Sequence, residues 1–236
     1  MAAVPFFFVG KLVDPASSAA MASYGGYFPF VLLGLACSRF VTASLSAFGG
    51  VLREEQLQGT LEAMLLSPAS LASIILGGAL WPLVWTSIEV MLYLLIGAVL
   101  FGVSFSQINT LAALTILPLL ILSLSSLGLF SACGLLLYKE ADPVNWLLGG
   151  LMRLLGGVYF PIALLPQWLA PLAKAFPLTH GLEGIRQAVL AGASLNQLGG
   201  IVGTLFAFSL ISWPLAGFCF VRTLRRLKTT GALNFR

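Results

Sequence analysis

Charge is what this 236-residue chain has least of: only 8% of its residues are Asp, Glu, Lys or Arg, against 59% apolar. Soluble domains carry about a quarter charged residues, so water is not the solvent that most of this surface meets. Histidine is nearly missing too. With His180 alone, and no cysteine near it, neither a zinc site nor a histidine-dependent hydrolase has its raw material. The cysteines, Cys37, Cys133 and Cys219, all fall inside apolar runs, where they are expected to be small buried residues rather than a disulfide or metal set. No G-x-x-x-x-G-K-[ST] phosphate loop occurs, so the chain is not expected to bind ATP in that way, and no site for another cofactor is visible. Intramembrane acid clusters and an inverted repeat, the marks of an ion-driven carrier, are not visible either. The net charge of +4 owes most to Arg222, Arg225, Arg226 and Lys228 beside a membrane span, which fits membrane orientation and not nucleic acid.

What the sequence has in quantity is long apolar runs. They are continuous, whereas a membrane barrel would alternate over strands of about ten residues, so the expected fold class is an all-α membrane bundle of about six helices surrounded by lipid. Reading the runs against their breakers places spans at 28–51, 73–101, 110–137, 146–163 and 199–221 within a single membrane domain, 1–236. Residues 4–13 are too short to cross and resemble the second half of a span: either an upstream portion precedes them or the first helix is partial. The basic residues Arg53, Lys139, Arg222, Arg225, Arg226, Lys228 and Arg236 are expected on the cytoplasmic side, and Lys11, Lys174 and Arg186 opposite. Both chain ends are then expected on the cytoplasmic side of a cell membrane.

Two charges interrupt the spans. Arg39 and Glu89 sit at similar estimated depths in neighbouring helices, each costly if left in hydrocarbon. Two readings follow: a buried ion pair joining the helices, or a side chain lining a path for a polar molecule. Arg153 is near enough to the cytoplasmic side to snorkel. Prolines inside spans, at Pro82, Pro118 and Pro214, predict kinks.

The loop from 52 to 72 holds the densest charge. Glu54, Gln58 and Glu62 share one helical face, and Leu57, Leu61, Met64 and Leu65 another, which predicts a surface helix over 53–66 interrupted at Gly59, with Thr60 capping its second half. An acidic face suits a protein partner better than anionic lipid. Phe160-Pro161 closes the fifth span, and Leu165-Pro166-Gln167-Trp168, Pro177-Leu178-Thr179 and Glu183-Gly184-Ile185-Arg186 follow in a helical segment, 164–198, expected outside the membrane.

Both stretches resemble the type-2 ABC exporter permeases, over about residues 28–222. The charged Arg53-to-Pro68 segment is similar to that family's coupling helix, and the ordered proline motifs are similar to its external helices. The resemblance implies a transport subunit and not an enzyme. A separate ATPase would bind the ATP and dock on Arg53, Glu54, Glu55, Gln58, Gly59, Thr60 and Glu62. It also implies a second permease copy, with the contact expected around Gly149, Gly150, Gly156 and Gly157, where small residues let helices approach. The expected location is the cell membrane of a prokaryote. Composition leaves open an ion-driven transporter or a non-transporting membrane scaffold.

Overall fold

The computed structural model describes residues 3–12, 24–59, 71–105, 107–138 and 143–230. Among them the chain forms α1 (Ala3–Leu12), α2 (Tyr27–Gln58), α3 (Leu71–Phe101), α4 (Thr110–Tyr138), α5 (Pro143–Leu155), α6 (Ala170–Ala175), α7 (Pro177–Leu190) and α8 (Gly199–Thr230), with a 3-10 turn at Ile162–Leu164. No strand occurs among the described residues. Four helices, α2, α3, α4 and α8, are long and apolar enough to cross a membrane. α3, α4 and α8 continue as helix past their interior prolines Pro82, Pro118 and Pro214.

The first and fifth expected spans differ from that pattern. α1 has 10 residues and α5 has 13, about 15 and 20 Å at ~1.5 Å per residue, short of a hydrocarbon layer of about 30 Å. Proline opens α5, where a missing N–H costs nothing. Its end is set by two glycines. Gly156 donates its N–H to Met152 O (2.8 Å) to finish the last turn, and Gly157 adopts φ +77°, a left-handed conformation that side chains resist. The backbone then leaves the helix through Pro161 into the 3-10 turn.

Within the bundle α2 is central. It packs on α3 along one side and on α4 along another, α4 in turn packs on α8, and α1, α5 and α7 also lean on α2. In its most apolar stretch 67% of α2 is buried, against 17% for α3 and 28% for α8. The α2–α4 crossing is close because Gly128 has no side chain: a Cβ there would lie 1.9 Å from Ser44 O. Leu33, Phe40, Leu45, Ile116, Leu120, Met152 and Leu182 fill the core where α2, α4, α5 and α7 meet.

Between α4 and α8 the contact is also polar. Ser123 and Ser209 share a hydrogen bond of 2.8 Å, Ser126 and Ser212 one of 2.6 Å, and the Trp213 indole N–H donates to Leu122 O at 3.0 Å. In lipid, where apolar burial gives no drive for helices to associate, such bonds and tight packing supply the adhesion.

Candidate functional site

The site begins with what α2 leaves uncovered. Between Phe28 and Leu52 the exposed positions are Arg39, Thr42, Ser46 and Gly50, and Arg53 continues the line. Intervals of three and four residues put them on a single stripe of the helix. None is a large apolar residue. Elsewhere the exposed positions are mostly large and apolar, as lipid demands, among them Trp81, Leu92, Leu95 and Val99 on α3 and Phe206, Leu210, Leu215 and Phe218 on α8, with Glu89 and Thr204 as polar exceptions. The Ser46 hydroxyl donates to Thr42 O (2.8 Å) and that of Thr42 to Ser38 O (3.4 Å), which leaves acceptor lone pairs toward the open side. A strip of cation, hydroxyls and glycine on the most enclosed span is a poor lipid contact.

Arg39 and Glu89 are level with each other, as their sequence positions suggest. A Cβ on Gly97 would touch Leu32 and one on Gly78 would touch Val51, and this antiparallel register sets Arg39 opposite the Glu89–Val90 level of α3. Level is not contact, however. Glu89 is exposed and accepts a hydrogen bond from the Trp85 indole N–H at 2.9 Å, and no ion pair joins it to Arg39 among the described residues. The expected buried salt bridge is therefore not formed within the chain. Tyr93, one turn beyond Glu89, lies within electrostatic reach of Arg39.

At the other end of the stripe α2 continues without interruption to Gln58, because Arg53, Glu54, Glu55 and Gln58 favour helix and nothing between them breaks it. The first half of the expected coupling element is thus an extension of the span, not a separate helix. Gln58 donates to Glu54 Oε1 at 3.2 Å, and Leu57 stands 81% exposed beside them. Gly59, at φ +70°, ends the helix, which is the break its position suggested. Thr60, Glu62 and the rest of 60–66 lie outside the described residues.

At the start of α2 the chain is clamped by α7. Arg186, only 2% exposed, donates from Nε and Nη2 to Phe30 O at 3.2 and 2.9 Å and from Nη2 to Val158 O at 3.3 Å, while its guanidinium lies 3.4 Å from the Phe30 ring centroid. Burial pulls its pKa down to about 10, so it stays cationic at neutral pH. Glu183, one turn earlier, accepts from the Tyr24 hydroxyl (2.5 Å) and from Gln187 Nε2 (2.8 Å). Burial and that carboxylate push the Tyr24 phenol well above its usual range. Glu183 and Arg186 border an open cavity of about 640 Å³ with Tyr24, Gln167, Lys174 and His180. His180 itself is held by Lys174 O at 2.8 Å.

The four glycines expected at a contact between copies divide. Gly149 faces Leu45 (3.5 Å from an added Cβ), Gly156 faces Leu178 (2.7 Å) and Gly157 faces Ile162 (3.1 Å), so these three serve packing inside the chain; Gly150 alone has nothing within 4 Å. The cysteines divide as well. Cys37 and Cys133 are buried, but Cys219 is exposed, on the outer side of α8. Arg153 turns its Nε to Gly149 O at 3.0 Å.

Against known proteins, residues 2–190 match the family described as ABC-2 type transporter. This chain belongs to that family. It is also similar to the linearmycin resistance permease protein LnrN of Bacillus subtilis, at 25% identity over 174 residues, which cover 74% of this chain and 45% of the relative. The match thus spans about half the length of that curated relative. The α2 stripe, the Arg53–Gly59 extension and the Arg186 clamp of this ABC-2 permease all fall inside the matched residues. Thr42 and Ser46 escaped the sequence reading, because hydroxyls are common inside helices and only the packing of α2 shows which side is open. Arg186 was visible as part of a motif, but nothing local marked it as a buried clamp.

Proposed function

We propose that this chain is the membrane-spanning half of an ATP-driven exporter in the cell membrane, that it works as two copies, and that the substrate moves along the α2 polar stripe where the copies face each other. The observation that carries this reading is the stripe itself. Arg39, Thr42, Ser46 and Gly50 are the exposed positions on a span whose remaining sides are covered, and in a bilayer a polar strip is relieved by water or by protein, not by acyl chains. A second copy related by a two-fold axis would place two such strips across a shared path. Gly150, open on α5, is the glycine placed to meet that copy.

A separate ABC ATPase supplies the energy in this reading. It docks on the segment 53–66, of which Arg53, Glu54 and Gln58 are exposed at the end of α2. Because the extension is continuous with α2, a push on Gln58 would be carried rigidly to Arg39, about 29 Å up the helix at ~1.5 Å per residue. Both chain ends lie in the cytoplasm. The name of the similar permease ties that protein to resistance, and removal of a harmful compound is the corresponding role here.

Co-expression with the ATPase encoded nearest to this gene tests the reading. Recovery of a complex with two permeases and two ATPases, whose ATP hydrolysis falls at least severalfold on combined reversal of Glu54 and Glu62 to lysine, is the expected result. A permease that binds no ATPase, or a double reversal that leaves coupled transport unchanged, contradicts it.

A further inference from the structure

Arg39 stands about 18 Å from Tyr27 and about 21 Å from Arg53 along α2, at ~1.5 Å per residue, so it is central in the span and too deep to reach either surface by snorkelling. It is exposed, and it makes no hydrogen bond or ion pair with a described residue. The acid at its own level, Glu89, is already engaged by Trp85 at 2.9 Å. The stripe around it, Thr42, Ser46 and Gly50, supplies hydroxyls and space but no counter-charge. Even in a narrow aqueous path, a guanidinium at such a depth is favoured when an anion completes it, and its planar fork of donors suits an oxyanion. Two copies would bring two such cations to one path and increase the demand for negative charge.

From this juxtaposition, an uncovered mid-span Arg39 on a hydroxyl-lined strip with its level acid otherwise bonded, we infer that the α2 face binds molecules carrying an anionic oxygen group, a phosphate or carboxylate, on an apolar body. This rests on the exporter reading only in that the stripe is the path; binding itself needs no ATPase. The apolar body suits a molecule that enters from or travels within the bilayer, and the anionic group is what Arg39 selects.

The test is a titration of the full chain in nanodiscs of zwitterionic lipid with dodecyl phosphate, dodecyltrimethylammonium and dodecyl maltoside below their micellar concentrations, read by tryptophan fluorescence. Trp85, bonded to the level acid, is the reporter, with the other four tryptophans, Trp81, Trp146, Trp168 and Trp213, replaced by phenylalanine. The expected result is saturable binding of dodecyl phosphate about tenfold or more tighter than of the other two, in line with one charge-assisted contact. That preference should vanish in Arg39→Gln, persist in large part in Arg39→Lys, and persist in Glu89→Gln. Equal affinity for the three probes, or an undiminished phosphate preference in Arg39→Gln, overturns the inference. So does tighter phosphate binding in Glu89→Gln, because it would mean that Glu89 of a second copy already occupies Arg39. Should the lysine variant fold, measured by its elution profile, and also lose the preference completely, the charge-recognition account fails as well. Since no ATPase is present, these outcomes bear on anion recognition alone, whereas failure to recover a permease–ATPase complex bears on the exporter reading.

Discussion

A single arginine ties the start of α2 to α7 and to the segment after α5. Arg186 is sealed from solvent and spends its donors on the carbonyls of Phe30 and Val158, so replacing it by leucine deletes charge-assisted bonds and the stacking on Phe30 together. The expected loss is about 2–3 kcal/mol of stability, with Arg186→Lys intermediate, and thermal unfolding in detergent measures both. Arg39 and Glu89 lead to the opposite expectation. With no ion pair between them, leucine at each position should act independently, and a double-mutant cycle should show a coupling below about 0.5 kcal/mol; a coupling well above that would restore the salt bridge. Their common level was legible from the sequence, because residue counts give depth along a helix. Their separate directions were not, since the rotation of α3 about its axis is decided by what it packs on.

At the scale of elements, the α4–α8 contact is a small, testable case. The Ser123–Ser209 and Ser126–Ser212 bonds repeat one turn apart, and alanine at Ser209 and at Ser212 should each cost about 0.6 kcal/mol, typical of hydrogen bonds between membrane helices. Unfolding measurements showing no loss from either would shift the adhesion to packing. The long helices were readable in advance: the expected spans 28–51, 73–101, 110–137 and 199–221 each fall inside α2, α3, α4 or α8. Apolar length is a strong signal, as lipid leaves the backbone no other partner. Three of the four glycines in and just after α5 are taken up within the chain, for a physical reason. Small residues permit close approach of any neighbour, and here Leu178 and Leu45 of the same chain take the space at Gly156 and Gly149. The helical run over 53–58 was also visible, but its continuity with α2 was not, because an amphipathic pattern reads the same whether the helix before it stops or continues.

For the molecule as a whole, the central claim is that the uncovered side of α2 meets water and a second copy, while α3 and α8 meet lipid. The most direct test is the reactivity of single cysteines toward a charged, membrane-impermeant thiol reagent in intact membranes, on a background with Cys37, Cys133 and Cys219 replaced. The account predicts that Thr42→Cys and Ser46→Cys are labelled, at rates that change when the ATPase partner is given ATP, and that Leu92→Cys and Leu210→Cys, on the apolar faces of α3 and α8, are not. Labelling at Leu92 and Leu210 with silence at Thr42 and Ser46 would contradict it, placing lipid against the stripe and the path elsewhere.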